Sequence, residues 1–349
     1  MFIAGVGTAA APHRYSQEDL IAAFMAAWSQ QHHNPRRVAD LHRAVMVGAR
    51  NLALPMERYP GLSFGEANDA FIAVGTDIAA EALSAALQAA GLRPADLDAI
   101  YFTTVTGIAA PSIDARLVNR LGLRSDIRRV PMFGLGCVAG AAGVARVADY
   151  LRGHPEGAAA LVSVELCSLT LQREDLSIPN LIASGLFGDG AAAVIGLGAA
   201  RSAPAGAPVV LASRSRFYPN TERVMGWDIG DQGFRIVLSA EVPQVVSRFI
   251  RDDVDTFLAS QGLDRSQIGQ WICHPGGPKV LTAFEQSLEL PEGALDRTWQ
   301  SLREVGNLSS ASVLHVLGDT LAARPDPGTY GLLMAMGPGF CAELVLLRW

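Results

Sequence analysis

The sequence predicts an α/β protein built from two similar halves. Helical segments alternate with short β-branched strands, and two consecutive stretches recur after about 170 residues. A Gly-, Ala-, Pro- and Ser-rich link, "GLGAARSAPAGAPV", separates the copies and divides the chain into residues 1–203 and 204–349. "MFIAGVGTAAAP" reads as a first strand and loop, because no basic segment precedes its apolar run. "DAFIAVGTDIAAEALSAALQAAGL" has helical periodicity and stops at Gly91, a residue suited to a left-handed cap. "LDAIYFTTV" follows as a strand rich in β-branched and aromatic side chains. "IRRVPMF" is a further candidate strand ahead of the small-residue helix "GCVAGAAGVARVADYL", and "AAALVSVEL" returns as a strand. In the second half, "VVSRFIRDDVDTFLASQGL" ends at Gly262, and "IGQWICHP" takes the strand position. "GNLSSASVLHVLGDTL" and "YGLLMAMGPG" repeat the helix and the returning strand.

Set against each other, Gly136, Asp149 and Leu151 fall on Gly306, Asp319 and Leu321. A period this long describes two α/β halves rather than a solenoid. Cys137 and Asn307 become counterparts at two helix starts, and His274 lies at a strand end opposite Thr103 and Thr104. Ligands collect at helix N-termini and at the carboxyl ends of strands. Cys137, His274 and Asn307 are therefore expected to converge.

Composition narrows the function. The chain has 349 residues, 50% hydrophobic and 18% charged, with a net charge of −6. That is enough for a large core, and the absence of a basic stripe disfavours nucleic acid as a partner. Its longest apolar runs are interrupted by Arg146, Asp189 or Gly, so an integral membrane protein is not expected. Cys137, Cys167, Cys273 and Cys341 lie far apart without a CxxC pair, which points away from disulfides and zinc. A cytoplasmic enzyme is the expectation.

Cys137, in "FGLGCVAGAAGVARV", admits three readings. It could be a small buried hydrophobe, as free cysteines often are. Gly134, Gly136 and Ala139 also satisfy a nucleotide-binding G-x-G-x-x-A pattern, with Glu156 at the ribose distance, although the second copy has Glu304 where the pattern needs glycine. The third reading is a nucleophile, its thiolate stabilised by the helix N-terminus and a nearby imidazole. The duplication favours the third, because it supplies His274 and Asn307 together.

These residues carry a resemblance. "GLGCVAGA", "WICHPGGPKVL" and "REVGNLSSASV" resemble the nucleophile, histidine and asparagine motifs of type III polyketide synthases, the chalcone synthase-like branch of the thiolase superfamily. "LFGDGAAAVI" and "MGPGF" are similar to two further signatures of that family, and the likeness spans the chain. It implies a five-layered αβαβα thiolase fold, a homodimer, and acyl-CoA substrates used without a carrier protein or a metal or redox cofactor. By the same resemblance Cys137 is the acylated nucleophile, with His274 and Asn307 as its partners. Phe187 and Phe234 match two gatekeepers between the CoA tunnel and the cavity. Val105, Thr106, Ala109 and Ala110 match the cavity-lining segment near the dimer interface, and Thr170 matches another cavity position. Plant members carry a bulky Met at the place of Ala110. The basic CoA-docking positions are poorly kept, with Arg37, Arg43 and Arg50 as nearby candidates.

"APHRYSQEDL", "TVTGIAAPS" and "MGWDIGDQGFRIVLS" look like bacterial alkylresorcinol and alkylpyrone synthases. This resemblance implies a long fatty acyl-CoA starter, malonyl-CoA or methylmalonyl-CoA as extender, and a resorcinol or pyrone product. The rival within the superfamily is a β-ketoacyl-carrier-protein synthase III-like enzyme. A papain-like hydrolase shares the Cys, His, Asn order but gives no reason for the duplication.

Overall fold

The structure is a computed structural model and describes residues 1–28 and 35–349. The first half begins with β1 (Phe2–Ala10), β2 (His13–Ser16), α1 (Gln17–Trp28), α2 (Pro35–Ala44), β3 (Ala49–Leu52) and α3 (Phe64–Ala90). It continues with β4 (Ala99–Thr104), α4 (Ile113–Leu121), β5 (Arg128–Phe133), α5 (Ala139–Gly153), β6 (Ala158–Leu166), α6 (Ile178–Leu186) and β7 (Asp189–Leu197). The second half opens with β8 (Val209–Phe217), β9 (Met225–Gly230), β10 (Gly233–Leu238), α7 (Val242–Ala259) and β11 (Ile268–Cys273). It closes with α8 (Pro278–Leu288), α9 (Asp296–Val305), α10 (Ser312–Ala322), β12 (Tyr330–Gly337) and β13 (Cys341–Arg348).

Among the described residues, strand pairing repeats the sequence duplication. Nine strands run in the order β11-β12-β13-β8-β1-β7-β6-β4-β5. β4 is parallel to β6, while β6–β7 and β7–β1 are antiparallel. In the other half β11 is parallel to β12, while β12–β13 and β13–β8 are antiparallel. At the β1–β8 seam only Phe2 and Val209 pair in register, so the sheet breaks there into two half-sheets. β5 has no counterpart strand; α8 and α9 occupy the equivalent stretch of the second half.

The alternation of strand side chains sorts the core into layers. On β6, Ala160, Val162 and Val164 face the α3–α4 cluster, while Ala159 and Leu161 face the cluster of α5 and α10. On β12, Leu332 and Met334 lie under α7, α8 and α9, while Leu333 and Ala335 turn to α5 and α10. The order is therefore helices, half-sheet, α5 with α10, half-sheet, helices: the expected five-layered fold. α5 and α10, whose starts carry Cys137 and Asn307, form the sealed middle layer.

α3 starts earlier than its periodicity indicated. Ser63 and Glu66 form a capping box ahead of Phe64, and Gly91 ends the helix at φ 67° as expected. By length and composition α3 could cross a membrane, but half of its most apolar window is buried within this fold. Its contact with β1 is close: a Cβ at Gly7 would lie 2.3 Å from the Ala82 carbonyl oxygen.

Candidate active site

Five separate sequence motifs meet at the mouth of the middle layer. Cys137 sits in a short 3-10 turn, Gly136–Val138, that leads into α5. Gly136 takes φ 56°, and a Cβ there would lie 2.7 Å from the Pro338 ring, so both backbone and space require glycine. The "MGPGF" loop thus packs beneath the cysteine turn. The Cys137 thiol donates to Ser309 Oγ at 3.6 Å, which joins this turn to the asparagine motif.

Asn307 is fixed from three sides. Its N–H donates to the Leu186 carbonyl at 2.9 Å, and its carbonyl accepts from Gly188 N–H at 3.0 Å, tying it to "LFGDG". Its side-chain Oδ1 accepts from Ser309 N–H at 2.8 Å, which sets the orientation of the amide. Nδ2 then points toward the Gly276 carbonyl, a long 3.4 Å contact with the histidine motif. His274 follows β11 directly, and its backbone N–H donates to the Met334 carbonyl at 2.9 Å. Among the described residues, neither buried ring nitrogen of His274 has a hydrogen-bond partner. A buried polar pair left open this way is costly unless a ligand or a transition state uses it.

The electrostatics correct one expectation. The helix start was expected to lower the Cys137 pKa, but burial pushes the thiol up to about 12. Burial also lowers the His274 imidazole to about 3. Desolvation disfavours either group charging alone. The thiol–imidazole hydrogen bond is not formed in this resting arrangement.

Glu165, which the sequence reading did not single out, anchors the site from beneath. Its carboxylate accepts from Val105 N–H at 3.1 Å and Thr106 Oγ1 at 3.0 Å, and also from the Ser310 hydroxyl. Burial raises its pKa to about 7. The signal was present in "AAALVSVEL", where one carboxylate stands in an otherwise uncharged strand that is buried throughout.

The remaining expected residues divide. Phe187 and Thr170 line a cavity of about 680 Å3 together with Cys167, Trp227 and Ile236. Phe234 is buried and packs edge-on against Phe64 and Trp227. Val105 and Thr106 are buried at Glu165, but Ala109 is half-buried and Ala110 exposed, away from that cavity lining. Arg37 and Arg43 are exposed on α2, and Arg43 pairs with Glu18. Arg50, the third nearby candidate, is buried and lines the same cavity as Phe187. It donates to the Phe187 carbonyl at 2.7 Å and to Gln17 Oε1 at 3.2 Å, and so caps the carboxyl end of α6. Among the described residues no cluster of ligands suited to a metal ion occurs.

A duplicated five-layered fold, with a thiol and an amide at the starts of its two inner helices, defines a thiolase-like enzyme. Residues 2–200 match the N-terminal domain, and residues 209–349 the C-terminal domain, of the chalcone and stilbene synthases. The chain belongs to that family, the type III polyketide synthases, which condense CoA-thioester starters with malonyl-CoA extenders. It is similar to the 1,3,6,8-tetrahydroxynaphthalene synthase of Streptomyces peucetius subsp. caesius, with 56% identity covering 99% of this chain and 93% of that protein. A putative chalcone synthase of Bacillus subtilis is 35% identical, covering 100% of this chain and 98% of its own. The crystal structure of tetrahydroxynaphthalene synthase from Streptomyces coelicolor A3(2) superposes with a TM-score of 0.94 at 29% identity. That match covers 100% of this chain and 99% of the other.

Proposed function

We propose that this chain extends an acyl group held on Cys137 with malonyl-CoA and closes the product to tetrahydroxynaphthalene. The Cys137 sulfur attacks the thioester carbonyl of the starter, its proton passes to His274, and the CoA thiolate leaves with that proton. Malonyl-CoA then loses CO2, and the electron pair moves onto the thioester oxygen as an enolate. Asn307 Nδ2–H and a neutral His274 N–H stabilise that oxygen; two such donors together are worth roughly several kcal/mol. The enolate carbon attacks the Cys137 thioester, and the cysteine sulfur is the leaving group. Every step moves electron pairs without net oxidation, so none calls for a redox cofactor.

The observation that carries this mechanism is the fixed Asn307 amide beside an open His274 ring and the Cys137 thiol. The product assignment leans on the 56% identity with a protein named for it. Ten ring carbons with alternate oxygens correspond to five two-carbon units, leaving no place for a long alkyl starter. The alternative, a long fatty acyl starter closing to an alkylresorcinol or alkylpyrone, is favoured by one feature: the cavity beside Phe187 is walled by Leu52, Met56, Leu171 and Ile236. Mass spectrometry of products from malonyl-CoA alone, and from malonyl-CoA with long-chain acyl-CoA, separates the two. Tetrahydroxynaphthalene from malonyl-CoA alone is expected; alkylated rings formed only with the long starter overturn it. We also propose a homodimer, supported by Ile108, Val130 and Phe133, which are exposed on the edge strand β5 and the loop beside it. Analytical ultracentrifugation tests that assembly.

A further inference from the structure

We propose that Gln172 is a specificity-determining positioning residue: it latches the β9–β10 hairpin over the cavity beside Phe187 and so limits the acyl chains accepted. The proposal rests on the reading of Phe187 and Phe234 as walls of the substrate passage.

Among the described residues, β9 and β10 pair only with each other, so no strand ladder ties the hairpin to the large sheet. The hairpin nevertheless supplies Trp227 and Ile236 to the cavity wall, and it carries Phe234. An isolated two-stranded hairpin is marginal in water and needs outside contacts to hold one position. Gln172 gives it two. Its side-chain Nε2 donates to the carbonyls of Gln232 and Phe234, both at 3.0 Å, at the hairpin turn and just beyond it.

Gln172 is itself held from the other side. Its backbone carbonyl accepts from Asn180 Nδ2 at 2.7 Å, and the same amide donates to the Asp175 carbonyl at 2.7 Å. Asn180 is buried on α6, the helix that ends immediately before Phe187. A continuous path therefore runs from Phe187 through α6, Asn180 and Gln172 to Phe234. One side-chain amide couples the two elements that carry the phenylalanines. An NH2 group can serve two carbonyl acceptors at once; a carboxylate of the same shape would face those oxygens and be repelled.

The test compares Gln172→Glu and Gln172→Met with wild type by two measurements. Hydrogen exchange over residues 225–238 is expected to speed up about tenfold in Gln172→Glu and less in Gln172→Met, because local opening costs less once the bonds are lost. The ratio of KM values for a long-chain acyl-CoA offered as alternative starter and for malonyl-CoA is expected to shift by about tenfold, with kcat changing less. Unchanged exchange in both variants overturns the latch. Faster exchange with an unchanged starter ratio and product length overturns the specificity role. Phe234→Ala tests the underlying reading separately: an unchanged starter ratio there overturns the passage assignment, while the exchange data still report on the latch.

Discussion

Gly136 and Gly306 open the two equivalent turns, at φ 56° and 74°, and each turn leads through a short 3-10 segment into an inner helix. Beyond that start the two are held very differently. Among the described residues, the Cys137 side chain makes a single hydrogen bond, to Ser309. The Asn307 turn is strapped to Leu186, Gly188 and Ser309, with Ser310 anchored on Glu165. A nucleophile must leave its resting contact to form a bond to carbon, whereas an oxyanion donor works best when already in place. Duplication supplied one turn twice, and the two copies then diverged toward freedom and toward rigidity.

Breaking each turn should expose that division. Cys137→Ala has the largest expected effect: loss of the acyl adduct in intact-protein mass spectrometry, and product formation down at least about a thousandfold. An adduct that persists on another residue, Cys167 for example, would remove Cys137 from the mechanism. Asn307→Asp keeps the acceptor for Ser309 N–H but replaces the donor with a negative charge. Malonyl-CoA decarboxylation should fall by about a hundredfold or more, and starter acylation far less. Equal losses in the two assays would mean that the two turns do not divide the work.

His274→Gln sharpens the contrast from the side of the thiol. Burial, with Glu165 adding to it and the Ser309 hydrogen bond working against it, pushes Cys137 up to about 12, and burial lowers His274 to about 3, so neither is favoured to ionise singly at neutral pH. Ionisation must come from proton transfer within the pair. Alkylation of Cys137 by iodoacetamide at pH 7 is expected to slow about tenfold or more in His274→Gln, with the lost rate regained as pH rises toward the thiol's own range. Parallel pH curves for wild type and variant would show that the imidazole does not hold the proton.

Much of this was legible in sequence, for physical reasons. Glycines at helix ends, β-branched strands and the recurrence of Gly136 as Gly306 are local signals, and they fixed the halves and their order. The expected convergence of Cys137, His274 and Asn307 came from the repeat together with the placing of ligands at strand ends and helix starts; the contacts found are Cys137 with Ser309 and Asn307 with Gly276. What was missed depended on burial. The apparent advantage of a helix start for Cys137 gave way to desolvation, which no linear pattern reports. Arg50 was a candidate by position alone; that it lies under the end of α6 could not be read in sequence, because its partners, Gln17 and Phe187, come from distant segments. Gln172 had no signal at all, since the two carbonyls it holds on the hairpin are backbone groups some sixty residues away.

The smallest expected effect bears on the strapped turn and is read in stability. Glu165 is raised from an ordinary 4.5 to about 7 by burial, so the folded state favours its protonated form. For a group raised in this direction, its contribution to stability is complete below pH 4.5, is lost as pH climbs toward 7, and is flat above. The full excursion is roughly 3 kcal/mol from the size of that shift. Glu165→Gln removes the titration while keeping the shape, so the melting-temperature difference, variant minus wild type, should rise between pH 5 and 8. Gln cannot accept from Ser310 and Thr106 at both ends, because one of its two ends is a donor. The Asn307 turn should therefore loosen even where the variant melts higher: decarboxylation should fall several-fold while Cys137 alkylation stays close to wild type. A melting difference independent of pH would show that the hydroxyl and amide donors offset burial and keep Glu165 ionised across this range. Equal loss of alkylation and decarboxylation would mean that its anchoring reaches both turns rather than the rigid one alone.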